Sequence, residues 1–288
     1  MIRYSTDSLN KTRVIQWLST LIAMSRKELT IMTRYPVEFI ASFGQVFLII
    51  AVLTLASLMF TREGVRNAGE ASTFISGLVV YGFVLFLFLS DTLWTIGYNI
   101  RREQKQGTLE QLYLSPASKT ASLISRVAVT LVWTGLLSLT SGWLMGAMIG
   151  RLPFENILLG LFVLIMTLSG TFGVGFAFAA LTLRVREAGQ TLANLAQFTF
   201  MVLCAPFFPF QALPGWIQTI SRLIPLSYGV DLFRSTLMGY PAGFPELAPV
   251  DIERIIVTAF GLLMPVLGLW LYRQEEDRAR RNGSLSEY

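Results

Sequence analysis

Long apolar runs separated by short polar segments dominate the sequence. A helix needs about 20 mostly apolar residues to cross a bilayer. We identify six such runs, at residues 37–60, 74–97, 121–149, 155–181, 191–210 and 254–272. The pattern therefore predicts an all-α, polytopic membrane protein whose six transmembrane helices form one domain over residues 37–272.

Lysine and arginine are unevenly distributed around these runs. Of the 23 basic residues, 17 precede the first run or follow the second, fourth and sixth, and 6 lie in the intervening segments. Basic residues concentrate on the cytoplasmic side of a membrane. We therefore expect a multi-pass protein of the cell membrane, with residues 1–36 and the 273–288 tail both cytoplasmic.

The composition agrees with a membrane protein and narrows its chemistry. Only 14% of the residues are charged and 53% are hydrophobic, whereas soluble domains carry about a quarter charged residues. Histidine is absent and Cys204 is the single cysteine, which excludes His-based catalysis and the common zinc sites. We expect no catalytic residue and no metal. The net charge of +5 follows from topology, so no nucleic-acid partner is expected.

The segment before the first run has helical periodicity. From about residue 8 to 34 the apolar residues fall on one side of a helix and the polar ones on the other. This predicts an amphipathic helix on the inner membrane surface, which Pro36 ends.

The segment between the fifth and sixth runs is rich in proline but not hydrophilic. Pro214 and Pro225 suit the first turns of two short helices, and Gly239 would close the second. Residues 211–239 are thus predicted to form a re-entrant helical hairpin near the outer face. An ordinary extracellular loop is the alternative.

Charged residues inside or near the predicted membrane segments are few. Asp91, near the cytoplasmic end of the second run, could line a substrate path, or it could pair with a neighbouring arginine. Asp231 and Arg234 are spaced to pair on one helix face. In the fourth run, Ser169, Gly173 and Ala177 form a row of small residues that allows close packing, either within one bundle or between subunits.

A polar segment, "IRREQKQGTLEQLYLSPAS" at residues 100–118, separates two apolar runs. Gly107 permits a break, Thr108 can cap a short helix, Glu110 lies in its first turn, and Pro116 stops it. Its apolar face, with Leu109, would require a partner. A solvated connector fits the same residues.

Three stretches resemble one family. "EQKQGTLEQLYLSP" looks like the cytoplasmic loop of the type-2 permeases of ATP-binding-cassette (ABC) exporters. "SRKELTIMTRYP", at 25–36, is similar to the helix before their first span, and residues 207–239 resemble their outer signature. With the six spans, the resemblance covers nearly the whole chain.

The resemblance implies a membrane permease subunit. In that family the loop after the second span is a coupling helix, here residues 101–116, that docks on an ATPase subunit. The residues implied in this contact are Glu28, Arg101, Arg102, Glu103, Gly107, Thr108, Leu109, Glu110, Leu112, Ser115 and Pro116.

The energy source is expected to be a separate protein. The sequence contains no G-x-x-x-x-G-K-[ST] phosphate-binding loop, so ATP and Mg would be bound by a partner ABC ATPase and no cofactor by this chain. The resemblance implies two ATPase copies and a homodimer of this chain, surrounded by membrane lipid.

The expected cargo is a drug-like amphipathic or hydrophobic compound, and a polysaccharide or lipid conjugate is the alternative. A non-transporting anchor for an ATPase also fits, whereas the spans offer little polar chemistry for a membrane enzyme or an ion-coupled carrier. The residues predicted to form the outer gate and re-entrant hairpin are Phe207, Phe208, Pro209, Pro214, Trp216, Pro225, Tyr228, Asp231 and Arg234.

Overall fold

All regular secondary structure in the part of the chain that the structure describes is helical. This computed structural model describes residues 19–27, 29–30, 34, 37, 40–49, 51–52, 77–93, 119–149, 154–184 and 189–281. The helices before the re-entrant segment are α1 (residues 19–27), α2 (Ile40–Ile49), α3 (Gly77–Leu93), α4 (Lys119–Ile149), α5 (Ile157–Arg184) and α6 (Gly189–Leu203). A 3-10 turn (Phe210–Ala212), α7 (Gly215–Ser221), α8 (Pro225–Leu237) and α9 (Val250–Arg281) follow.

Each predicted span contains a helix among its described residues, but the helices differ in length. The fifth span was predicted to reach residue 210, whereas its helix ends at Leu203, because Pro206 and Pro209 disfavour a helix. Two of the described helices contain stretches long and apolar enough to cross a membrane, Ile157–Leu181 in α5 and Val250–Arg278 in α9. The apolar stretches in the helices of the other four predicted spans, α2, α3, α4 and α6, are shorter. The all-α prediction is confirmed for the described residues, while the number of spans stays a prediction.

Helices α5 and α9 make the most extensive helix–helix contact among the elements from α4 onward. Their backbones meet at small residues, since a Cβ on Gly173 would overlap the Met264 backbone and one on Gly268 would overlap the Gly173 carbonyl. The small-residue row of the fourth run therefore packs against another helix of the same chain, as one of its two interpretations predicted.

At this contact, a hydroxyl group of one helix donates to a backbone carbonyl that a proline leaves without its usual donor. Pro265 lies inside α9 and has no N–H to donate to the carbonyl of Gly261, one turn earlier. The Ser169 hydroxyl of α5 donates to that Gly261 carbonyl oxygen at 2.7 Å. The proline is therefore tolerated because the neighbouring helix satisfies the freed acceptor.

Large apolar side chains cover the outside of the longest helices. Trp143 on α4, Leu158 on α5 and Trp270 on α9 are 77%, 86% and 60% exposed. An apolar surface of this extent requires lipid or a protein partner. Helix α8 has the opposite character, because every residue from Leu226 to Leu237 is buried.

Candidate functional site

The proline-rich segment forms the two short helices predicted from the sequence. Pro214 is the N-cap of α7, and Pro225 occupies the first turn of α8. Gly239 has a φ of +76° just beyond the α8 C-cap, a conformation that favours glycine. The helices are confirmed, and the depth of this hairpin in a membrane stays a prediction.

Arg234 on α8 is fully buried and binds the segment that follows α6. Its Nη1 donates to the carbonyl oxygens of Ala205 at 2.9 Å and Phe208 at 3.1 Å. Its guanidinium carbon lies 5.5 Å from the centre of the Phe210 ring. A planar, multi-donor group suits two carbonyls and a ring face at once, so Arg234 fixes residues 205–210 against α8.

Asp231, one turn before Arg234, is also fully buried. Its Oδ1 lies 3.9 Å from Arg234 Nη2, which confirms the pairing predicted from the i,i+3 spacing. Its Oδ2 accepts from the backbone N–H groups of Glu246 at 2.7 Å and Leu247 at 2.9 Å. Asp231 therefore fixes the loop before α9 as Arg234 fixes the segment after α6.

Glu253 brings a second carboxyl group to Asp231. Its side chain is fully buried in the first turn of α9, and Oε1 accepts from the Ala248 N–H at 3.1 Å. The Glu253 carboxyl group lies close enough to Asp231 to interact with it electrostatically. Arg234 supplies the positive charge with which both carboxyl groups interact.

Glu246 lies in the loop beside the same cluster. Its Oε2 accepts from the Gln211 N–H at 2.9 Å, and its Oε1 is buried with no hydrogen-bond partner among the described residues. Burial raises the pKa of Glu246, and the negative charge of Asp231 raises it further. We call Asp231, Arg234, Glu246 and Glu253 the buried polar cluster. It joins α8 to the segment after α6, to the loop and to α9.

The predicted gate residues do not form one group. Phe207 points to α3, where its ring centre lies 5.8 Å from that of Phe83 and 5.4 Å from that of Phe86. Phe208 packs instead against the small cluster that contains Phe210 and Leu213. The structure thus separates two neighbouring phenylalanines onto different surfaces.

The remaining predicted gate residues have distinct positions. Trp216 on α7 is 67% exposed, whereas the Tyr228 hydroxyl donates to the Arg222 carbonyl oxygen at 2.8 Å and connects α8 to the end of α7. Pro209 is the N-cap of the 3-10 turn. Asp231 and Arg234 are buried structural residues here, so in this conformation they do not face a passage.

Residues 204–207 lie directly against α3. A Cβ on Gly82 would overlap the carbonyl oxygen of Pro206, so only glycine permits this approach. Ala205 adopts a φ of 44° at the same turn. The close contact places Phe207 beside the middle of α3.

Asp91 and the preceding residue, Ser90, connect α3 to two other helices. The Thr134 hydroxyl of α4 donates to Asp91 Oδ2. Ser90 Oγ accepts from Gln197 Nε2 of α6 at 2.7 Å. Asp91 itself is half-buried, so part of its side chain faces outward from this junction.

Several of these residues carried no usable signal in the sequence. An acidic residue in the first turn of a helix, such as Glu253, is ordinarily explained by the helix dipole. Gln197 and Thr134 are each one of several uncharged polar residues in an apolar run, and nothing distinguishes them from the others. The predicted coupling residues at 101–116 and Glu28 lie outside the described residues.

Comparisons with known proteins agree on one family. Residues 2–272 match the model of a family described as ABC-2 family transporter protein. Two curated relatives from Mycobacterium tuberculosis, strains CDC 1551 / Oshkosh and H37Rv, are named probable doxorubicin resistance ABC transporter permease protein DrrC. Each is 26% identical to this chain over 231 residues, which cover 76% of this chain and 77% of the relative.

Proposed function

Since the chain belongs to the ABC-2 family of transporter proteins, we propose that it is the permease subunit of an exporter for drug-like amphipathic compounds. The observation that carries the proposal is the family match over residues 2–272, which includes the motif-bearing loop at 101–116. The Mycobacterium tuberculosis relatives are named for doxorubicin resistance, which supports a drug as cargo. ABC-2 permeases work with a separate ATPase subunit.

The proposed mechanism assigns one role to each side of the membrane. Two ATPase subunits close on ATP and displace the coupling helix at 101–116, which moves the second and third spans of a homodimer. The partner must bind the inward-open and outward-open states unequally, because an indifferent partner would drive nothing. Phe207, packed on Phe83 and Phe86, is then the gate residue that movement of α3 would displace.

Reversing the charge of Glu110 tests the proposed coupling. Glu110→Lys is expected to reduce ATP-dependent doxorubicin uptake by inside-out vesicles about tenfold or more, because a reversed charge at a protein contact costs roughly 2–5 kcal/mol. The vesicles contain the chain with its ATPase subunit. Uptake is followed by doxorubicin fluorescence, and co-purification of the ATPase is measured in parallel.

Asp277→Lys is the matched control, since Asp277 is an exposed acidic residue in the predicted cytoplasmic tail. It makes the same charge change and should leave uptake unchanged. Uptake by Glu110→Lys at the level of Asp277→Lys, with equal amounts of chain in the membrane, would refute the assignment of this loop.

A further inference from the structure

One side of α3 carries a carboxylate at the end of an apolar strip. Nearly all residues of this helix are buried. The half-buried ones are Phe86, whose ring contacts Phe207, and a set of three, Val84, Leu87 and Asp91. Their spacing of three and four residues places them on one face of the helix. At 1.5 Å per residue this face runs for about 10 Å from Val84 to Asp91. We call these three residues the α3 strip.

The strip begins beside the predicted outer gate. Val84 and Leu87 pack against the apolar cluster of Val80 and Phe83, and Phe207 packs against the same cluster. The aromatic rings of Phe86 and Phe207 are in edge-to-face contact. An apolar surface therefore extends from Phe207 towards Asp91 with no charged side chain among these residues.

Among the residues that the structure describes, Asp91 has a hydrogen-bond partner that is neutral. The Thr134 hydroxyl donates to Oδ2, which holds the carboxylate in place without neutralising its charge. No described basic side chain forms an ion pair with Asp91. A carboxylate in an apolar setting is costly unless a cation or a proton compensates it.

We propose that Asp91 is the anionic contact of the transport pathway and makes the permease select amphipathic cations. The apolar body of such a compound would lie along Val84 and Leu87, and its ammonium group would reach the half-buried Asp91 carboxylate. The inference rests on the proposed export function and adds the charge of the substrate to it. Thr134 is a positioning residue, because it holds the carboxylate that would contact the cation.

Two fluorescent probes that share one apolar rod separate charge from hydrophobicity. Trimethylammonium-diphenylhexatriene is permanently cationic, and diphenylhexatriene-propionate carries a carboxylate. In inside-out vesicles that contain the chain and its ATPase, wild type is expected to move the cationic probe with ATP. Asp91→Asn should reduce that rate about tenfold or more and leave any transport of the anionic probe unchanged or faster. Asp91→Glu should restore cation transport in part.

Thr92→Val is the matched control. Thr92 is the next residue of α3, is buried, and its hydroxyl donates to the Phe88 carbonyl oxygen of its own helix at 2.8 Å. This variant should transport the cationic probe like wild type. The quaternary ammonium group of the cationic probe does not titrate, so the comparison of variants with this probe does not depend on its protonation.

The outcomes distinguish the inference from the function on which it rests. Wild-type vesicles that move neither probe with ATP would overturn both. Wild-type transport of the cation with an unchanged rate in Asp91→Asn would overturn the inference alone. An equal loss of both probes in Asp91→Asn would also overturn it, because a purely structural role, such as pairing with an arginine, predicts that result.

Discussion

Arg234→Met is expected to lower the free energy of unfolding by about 3–5 kcal/mol, the usual cost of removing one partner of a buried charge pair. The substitution leaves the buried carboxyl groups of Asp231 and Glu253 without the positive charge of Arg234. It also removes the donor from the carbonyl oxygens of Ala205 and Phe208, to which Arg234 now donates at 2.9 and 3.1 Å. The measurement is equilibrium unfolding by SDS in mixed micelles.

Arg222→Met is the control for Arg234, since Arg222 at the end of α7 is exposed. Its loss should change the unfolding free energy by less than about 0.5 kcal/mol. The double variant Asp231→Asn with Arg234→Met should lose less than the sum of the single variants, because the two residues share one network. An Arg234→Met protein as stable as Arg222→Met would show that the cluster contributes nothing to folding.

Gly173→Leu is expected to destabilise the chain by about 3 kcal/mol, at the upper end for overpacked cores. The backbones of α5 and α9 touch at this position, where even a Cβ would overlap the Met264 backbone. A leucine therefore forces the two helices apart. That separation would also break the bond from the Ser169 hydroxyl to the Gly261 carbonyl oxygen.

Gly44→Leu makes the same substitution where it should be tolerated. A Cβ on Gly44 of α2 would meet no atom within 4 Å. Size-exclusion profiles in detergent and the SDS midpoint should match wild type for Gly44→Leu, while Gly173→Leu should aggregate or unfold early. Equal midpoints for the two variants would contradict the close contact of α5 and α9.

Local sequence rules predicted helix α8 well. Its start at Pro225, its end before Gly239 and the pairing of Asp231 with Arg234 all depend on residues within a few positions of one another. The groups that these two side chains bind could not be predicted in the same way. Ala205, Phe208, Glu246 and Glu253 come from other segments, and only the folded chain brings them to α8.

Hydrophobicity was a poorer guide to where a helix ends. The fifth apolar run was predicted to continue to residue 210, but α6 ends at Leu203. Residues 204–210 are as apolar as the helix before them, so their composition does not mark the change. Pro206 and Pro209 disfavour a helix, and the close approach to Gly82 together with the bonds to Arg234 fixes a different path.

The packing of the predicted gate residues could be foreseen only in part, and their role as a gate stays a prediction. Aromatic and proline residues at 207–228 indicated an apolar outer structure, and Phe207 does lie against α3. The direction of each ring is a tertiary property, because Phe207 and Phe208 are neighbours in sequence yet pack on different clusters. The residue types therefore indicated that this segment forms an apolar contact. The backbone conformation determines that Phe207, and not Phe208, makes the contact with α3.

The central claim is that this chain transports only when a separate ATPase drives it. The most direct measurement reconstitutes the purified chain and its ATPase subunit in liposomes, together and singly, and follows doxorubicin movement away from the ATPase-bearing side. The account predicts transport that requires both proteins and hydrolysable ATP. Sustained uphill transport by the chain alone, or by the complex without ATP, would contradict it.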